Sequence, residues 1–199
     1  MKMAMATAAT SYFSSASILL YVLFFAGTHA EALTSEEVPS ILPVCKTVGG
    51  GSIFFDVQFC LEALGSDDWS ANAGVNYRTQ SLIAVDLLTA NATTTAAKID
   101  GLLVPEAGGG KDGEATATRC LRSCRALYGG VVQRQPGCAA AVRGRRDGEA
   151  TRCLERAASA AEECEEGFGK SKVASPVTME NDDAFKLAKL AIALLSNAY

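Results

Sequence analysis

The chain has 199 residues and is acidic overall, with 18 Lys and Arg against 22 Asp and Glu. This balance argues against a nucleic-acid-binding protein, which needs a basic face to neutralise phosphates. The single histidine, His29, lies in or beside a predicted export signal, and no imidazole follows it. Hydrolysis by a Ser-His or Cys-His pair is therefore excluded, and the usual nitrogen ligand of zinc is missing. We expect no catalytic residues, no metal and no cofactor.

The N-terminal segment has the composition of a secretory signal peptide. Lys2 precedes an apolar run that is too short to span a bilayer stably. Small residues favour cleavage after Ala30 or Ala32. The sequence thus predicts a signal peptide at residues 1–30, one domain at residues 33–199, and a secreted protein with no membrane contact after cleavage. An uncleaved membrane anchor is the alternative, but no basic stop-transfer flank follows the apolar run.

The first predicted elements form a short hairpin. Residues 33–44 have the pattern of a short helix that is broken by two prolines, and three consecutive glycines then turn the chain. A helical pattern resumes over residues 54–64. Cys45 and Cys60 fall on the two arms of this hairpin, where a disulfide bridge would join them.

Four longer amphipathic helices follow. Apolar side chains recur at three- and four-residue steps, which is the helical period. Pro136 is expected to break or kink the second helix, and Asn181 is expected to cap the last one. No strand pattern is present, so the fold class is all-α, an up-down-up-down four-helix bundle. The helices are predicted at residues 74–104, 115–133, 148–165 and 182–198.

Basic residues are concentrated in the middle of the chain. Residues 111–156 carry 10 basic and 5 acidic side chains, whereas the segments on both sides are acidic. One interpretation is that these side chains are solvated helix faces. The other is that they meet acidic groups on a partner. The candidates for such a surface are Arg119, Arg122, Arg134, Arg143, Arg145 and Arg146.

Five short motifs occur in a fixed order along the chain. They are Val44-Cys45-Lys46-Thr47, Phe59-Cys60-Leu61-x-x-Leu64, Cys124-x-x-x-Tyr128, Cys164-Glu165-x-Gly167-Phe168 and Ser175-Pro176-Val177-Thr178-x-Glu180-Asn181. Together they resemble the plant invertase/pectin methylesterase inhibitor family over roughly residues 40–199. The spacing of the first two cysteines and the last motif are closest to the pollen-allergen-like branch, whose members are described as invertase inhibitors.

The resemblance implies a disulfide-stapled four-helix bundle preceded by a helical hairpin. Tyr128 and Phe168 each follow a bridging cysteine by four residues and so lie on its face of the helix, which predicts core packing rather than a site. The two disulfide bridges that the resemblance implies are Cys45–Cys60 and Cys124–Cys164.

If Cys124 and Cys164 are bridged, the positions of two further cysteines predict a third disulfide bridge. When Cys124 and Cys164 face each other on antiparallel helices, Cys138 and Cys153 are displaced by similar distances in opposite directions. We therefore predict a bridge between Cys138 and Cys153, with a pair of buried thiols as the alternative. Cys120 is then left over, and it could also compete for Cys164.

Asn91-Ala92-Thr93 is an N-glycosylation sequon. In an exported protein it predicts a glycan at Asn91. An unused sequon on a helix is the alternative.

The resemblance implies an inhibitor that is not an enzyme. A rigid bundle face would dock without covalent chemistry over the cleft of a protein partner in the apoplast, a pectin methylesterase or an acid invertase. Residues 145–150 lack the Pro-Lys-Phe segment that invertase inhibitors often carry, which favours pectin methylesterase, whereas the resemblance to the pollen-allergen-like branch favours an invertase. A non-inhibitory secreted helical carrier or pollen protein is the further alternative.

Overall fold

The computed structural model describes residues 41–66, 72–104 and 112–199. The predicted signal peptide at residues 1–30 lies outside this part of the chain. The described residues form six helices and no strand, which confirms the predicted all-α class. None of these helices has the combination of length and apolarity that crossing a membrane requires.

Two short helices form the N-terminal hairpin, α1 (Leu42–Gly49) and α2 (Val57–Gly65). A proline lies in the first turn of α1, where its missing N–H leaves no hydrogen bond unmade, so it starts the helix and does not break it as predicted. Asp56 caps α2 by accepting a hydrogen bond of 2.8 Å from the N–H of Phe59. A Cβ atom on Gly49 would lie 2.9 Å from the backbone nitrogen of Val57, so the close approach of the two arms requires glycine there.

The four long helices are α3 (Tyr77–Leu102), α4 (Asp112–Arg143), α5 (Asp147–Lys170) and α6 (Thr178–Ser196). Each packs against two others, because α3 and α5 both contact α4 and α6. Contacts join the start of one helix to the end of its neighbour, as in the ion pair Lys98–Glu180 and the hydrogen bond from Thr178 to Glu165. The bundle is therefore up-down-up-down, and the hairpin packs on α3 and α6.

Helix α4 continues through Pro136 to Arg143. The helix end predicted near residue 133 is therefore wrong. A proline removes only one backbone donor, and Pro136 itself is exposed. Buried residues on both sides of it, including Val131 and Cys138, hold this part of the chain in the helical conformation against the bundle.

The start of α6 also differs from the prediction. The helix begins at Thr178, four residues before the predicted start at residue 182, and no side chain caps it. Asn181 is inside the first turn and 3% exposed, so it is not the N-cap. Its amide is occupied instead by contacts with other helices, which are described below.

The core lies between the four long helices. Helix α5 contributes mainly alanines to it, which lets neighbouring backbones approach closely, while larger side chains come from all four helices. Each buried aliphatic side chain stabilises the fold by roughly 1.5–3 kcal/mol. The largest fully buried side chains of the bundle include Leu88, Ile99, Tyr128, Leu154, Phe168, Leu190, Leu194 and Leu195. Tyr128 and Phe168 thus lie in the core, as predicted.

Candidate protein-binding surface

An aromatic pair lies where the hairpin meets α6. Ser52 accepts hydrogen bonds from the N–H groups of Phe54 and Phe55, and this turn directs Phe55 inward while Phe54 stays 43% exposed. The ring of Phe54 packs edge-on against that of Phe185, with 5.7 Å between centroids. This arrangement is the favourable one for two aromatic rings.

Lys189 of α6 contacts both of these rings. The Nζ atom of Lys189 lies 4.8 Å from the centroid of Phe54 and 5.4 Å from that of Phe185, and such contacts contribute about 0.5–1 kcal/mol at exposed sites. Lys189 also donates a hydrogen bond of 2.6 Å to Glu155 of α5. The pair of rings is therefore held at a defined position by two helices and the hairpin loop.

A groove between α5 and α6 continues this apolar region. It has a volume of about 380 Å³, and its walls include Ala161 and Met179 together with Phe185. Glu162 places negative charge on its rim, while the carboxylate of Asp182 is paired with Lys186 at 2.6 Å. Met179 is 79% exposed, which is unusual for so large an apolar side chain.

We define the Phe54–Phe185 surface as four residues, Ile53, Phe54, Met179 and Phe185. Ile53 is 90% exposed and directly precedes Phe54. Phe185 connects the two halves, because it packs edge-on against Phe54 and lines the same groove as Met179. Contiguous exposed apolar residues with a charged rim are typical of protein–protein interaction sites.

A hydrogen-bond network runs from the core to the wall of this groove. Asn181 accepts a hydrogen bond of 2.7 Å from Tyr128 and donates one of 2.6 Å to Glu165. Thr178 donates a further bond of 2.7 Å to the other oxygen of Glu165. Burial raises the pKa of Tyr128 well above its usual range, and the nearby carboxylates, led by Glu180, add to this shift. The phenol therefore stays protonated and remains a donor.

The six arginines predicted as a binding surface do not form one cluster. Arg146 pairs with Glu149 at 2.7 Å, and the other five are exposed and form no ion pair among the described residues. The structure brings Arg134 into a different group, beside two arginines of α5 that the sequence analysis did not include. This second groove lies between α4 and α5.

Three disulfide bridges join the pairs named in the sequence analysis. Their Cα–Cα distances are 5.5 Å for Cys45–Cys60, 4.8 Å for Cys124–Cys164 and 5.6 Å for Cys138–Cys153. Cys120 is buried as a free thiol, with its Sγ 3.4 Å from the hydroxyl of Ser171. Among the described residues, no three His, Cys, Asp or Glu side chains are grouped as metal ligands would be.

The predicted glycosylation site lies inside α3. Asn91 is half-buried in a groove of about 300 Å³ that Phe59 and Glu62 also line. Thr93, the hydroxyl residue of the sequon, donates a hydrogen bond of 2.7 Å to the carbonyl of Thr89. The sequon is therefore in regular helix and next to the hairpin.

Sequence reasoning missed the Phe54–Phe185 surface. The adjacent apolar residues Ile53 and Phe54, directly after a glycine turn, were an available signal. Met179 could not be placed, because the predicted start of the last helix lay beyond it. Its exposure became visible only once α6 was seen to begin at Thr178.

A disulfide-stapled helical bundle that presents an exposed apolar surface is typical of small proteins that bind other proteins. A family model described as plant invertase/pectin methylesterase inhibitor matches residues 41–194, and the chain belongs to that family. Members of this family are secreted inhibitors, not enzymes, and they act by binding a target protein. A comparison with curated proteins found no match. The resemblance to the pollen-allergen-like branch stays a prediction.

Proposed function

We propose that this protein inhibits a plant cell-wall pectin methylesterase by docking over the substrate cleft of the enzyme. The observation that carries this proposal is the exposed Phe54–Phe185 surface on a member of an inhibitor family. Aromatic and methionine side chains are enriched at the centres of protein interfaces, where a few buried anchors supply most of the affinity.

The proposed mechanism is steric and includes no covalent step. Ile53 and Met179, the two most exposed members of the surface, would be buried against the enzyme, while the two rings provide a rigid wall between them. Glu162 on the rim would orient the complex and speed its formation through long-range attraction to basic groups. Disulfide bridges and the fixed aromatic pair reduce the entropy lost on binding, because the surface exists before the enzyme arrives.

The choice of target rests on the turn between α4 and α5. This turn consists of residues 144–146, where Arg145 has a left-handed backbone conformation with φ 56°. The turn and the start of α5 contain no Pro-Lys-Phe segment, the feature that the resemblance associates with invertase inhibition. Pectin methylesterase is therefore the proposed target, and acid invertase is the alternative.

We also propose that residues 1–30 are removed on export and that the protein acts in the apoplast. The lysine and apolar run of the N-terminal segment support this proposal. A glycan at Asn91 would be added before the chain folds, because the helix and the neighbouring hairpin restrict access afterwards. Mass spectrometry of protein secreted from plant cells would show the new N-terminus and the occupancy of Asn91.

The secreted protein should be titrated against a plant pectin methylesterase and an acid invertase side by side. We expect pectin methylesterase activity to fall in proportion to added inhibitor until one equivalent is bound, with invertase unaffected. Inhibition of invertase alone would replace the proposed target by the alternative. Full activity of both enzymes would contradict an inhibitory function and favour a non-inhibitory carrier or pollen protein.

A further inference from the structure

A second groove, between α4 and α5, has a different chemical character. Its volume is about 390 Å³, and three arginines line it, Arg134 from α4 with Arg152 and Arg156 from α5. We call it the arginine groove. The remaining lining residues are Gln133, Gly137, Glu149 and Cys153.

The positive charge of this groove is not neutralised by the residues that the structure describes. Among the described residues, no carboxylate lies within ion-pair distance of its three arginines. Glu149, the one acidic residue of the lining, is engaged by Arg146 at 2.7 Å. Glu155, which is next to Arg156 in sequence, is engaged by Lys189 at 2.6 Å. The groove therefore keeps three free guanidinium groups on a protein whose net charge is negative.

The backbone holds these arginines at fixed spacing. Arg152 and Arg156 are one helical turn apart and therefore share a face of α5. Cys153 lines the groove, and its bridge to Cys138 ties α5 to α4 at this level. The guanidinium of Arg134 lies over Gly130, where a Cβ atom would be only 3.1 Å from Nη2.

The lining also indicates which kind of partner fits. None of the exposed large apolar side chains of the described chain lines the arginine groove. A protein partner normally needs aromatic or aliphatic anchors at the centre of its interface. A hydrophilic chain that carries regularly spaced carboxylates needs none, because planar guanidinium groups bind carboxylates through paired, charge-assisted hydrogen bonds.

We propose that the arginine groove binds a linear polyuronic acid, the de-esterified form of pectin. Each sugar of that polymer carries one carboxylate once its methyl ester is removed, whereas the esterified polymer is neutral. The ligand is thus the product of the enzyme that the proposed function inhibits. Binding it would hold the inhibitor on those parts of the wall where the enzyme has already acted. The groove is distinct from the Phe54–Phe185 surface, so this inference does not depend on inhibition.

The test measures binding of a size-defined oligogalacturonate to the secreted protein by calorimetry, without any enzyme present. A triple variant, Arg134→Gln with Arg152→Gln and Arg156→Gln, removes the charge of the groove. The matched control, Arg119→Gln with Arg122→Gln and Lys172→Gln, removes the same charge elsewhere. These control residues are exposed and have no acidic partner among the described residues. Melting temperatures verify that both variants are folded.

We expect the groove variant to lose about tenfold or more in affinity, while the control stays within about twofold of the wild type. Binding should weaken when salt rises from about 0.05 M to about 0.5 M. A fully methyl-esterified oligomer of the same length should bind at least about tenfold more weakly. Each of these results supports the proposal.

Three results would overturn it. Absence of oligogalacturonate binding by the wild type is the first. Equal losses in the groove and control variants would show that only net charge matters. The third is a groove variant that binds the oligomer normally and no longer inhibits the target enzyme, which would make the groove a contact for an acidic protein.

Discussion

The hydroxyl of Tyr128 on α4 donates a hydrogen bond of 2.7 Å to Oδ1 of Asn181 on α6. The two residues are 1% and 3% exposed. Because Asn181 also donates to the half-buried Glu165 of α5, one polar network joins three helices of the bundle. This network lies beneath the groove of the Phe54–Phe185 surface, so it supports the shape of the candidate binding site.

Removing the phenolic donor tests this network. Tyr128→Phe leaves Oδ1 of Asn181 without a partner in the core, and we expect a loss of about 1–3 kcal/mol in the free energy of unfolding. Urea denaturation measures it. Tyr77→Phe is the control, since the hydroxyl of Tyr77 makes no hydrogen bond among the described residues. Equal effects of the two substitutions would contradict a structural role for the Tyr128–Asn181 bond.

The same residue predicts an alkaline pH dependence. Burial raises the pKa of Tyr128, so the folded protein keeps the phenolic proton at a pH where the unfolded chain has lost it. This contribution to stability is complete below the unfolded pKa of about 10 and is lost as the pH rises further. Wild type should therefore lose more stability than Tyr128→Phe between about pH 9 and pH 11. Parallel pH profiles for the two proteins would rule this out.

The ion pair between Arg78, at the start of α3, and Asp147 predicts that the stability of the fold falls at acid pH. Arg78 donates hydrogen bonds of 2.6 and 3.1 Å to the two carboxylate oxygens of Asp147, and a third to the carbonyl of Val142. The hydrogen bond from Arg78 lowers the pKa of Asp147. The stability that it provides is present above the unfolded pKa of about 4 and is lost as the pH falls through the lower folded value.

Asp147→Asn should therefore flatten the loss of stability below about pH 4, as measured by urea denaturation at several pH values. Asp86→Asn, which changes an exposed acid without an ion pair among the described residues, is the control and should leave the slope unchanged. If both variants follow the wild-type profile, the Arg78–Asp147 pair does not contribute to acid sensitivity.

The bridges should differ in their contributions to stability. Cys138–Cys153 closes a separation of 15 residues and Cys124–Cys164 one of 40. In the chain-entropy model, replacing each pair by alanines costs about 3 and about 4 kcal/mol respectively. Thermal denaturation of the two double variants measures the order. If the variant without the Cys138–Cys153 bridge loses more stability than the one without Cys124–Cys164, native packing around Cys138 outweighs the effect on the unfolded chain.

Pro136 is predicted to reduce the stability of α4. It lies inside the helix and is exposed, so replacing it restores a backbone hydrogen bond without removing core packing. We expect Pro136→Ala to increase the free energy of unfolding by about 1–2 kcal/mol, after allowing for the greater freedom of the unfolded chain. A decrease would indicate that α4 is interrupted at this position in solution.

Hydrophobic periodicity was sufficient to predict the four long helices and their antiparallel packing. It gave the wrong start for α6 and the wrong end for α4, because contacts with other helices determine the local structure at both places. Asn181 has the residue type of an N-cap, but its partner Tyr128 lies 53 residues away, and no local pattern shows that contact. Pro136 likewise has the residue type of a helix breaker, and the buried residues beside it kept the helix intact.

The candidate surfaces were less accessible to sequence reasoning than the fold. Phe54 and Phe185 meet only because the hairpin packs on α6. The predicted arginine surface followed charge density along the chain, whereas the arginine groove combines Arg134 of α4 with Arg152 and Arg156 of α5. In both cases the grouping depends on which helices are neighbours and which faces they share.

The inhibition constant of surface variants tests most directly the claim that the Phe54–Phe185 surface contacts the enzyme. Ile53→Asp with Met179→Asp places two charges on that surface, at residues 90% and 79% exposed. Val75→Asp with Val104→Asp places the same charges on residues 65% and 67% exposed that line neither groove. We predict that the first variant inhibits pectin methylesterase at least about tenfold more weakly, while the second matches the wild type. Unchanged inhibition by the first variant, or an equal loss in both, would contradict the account.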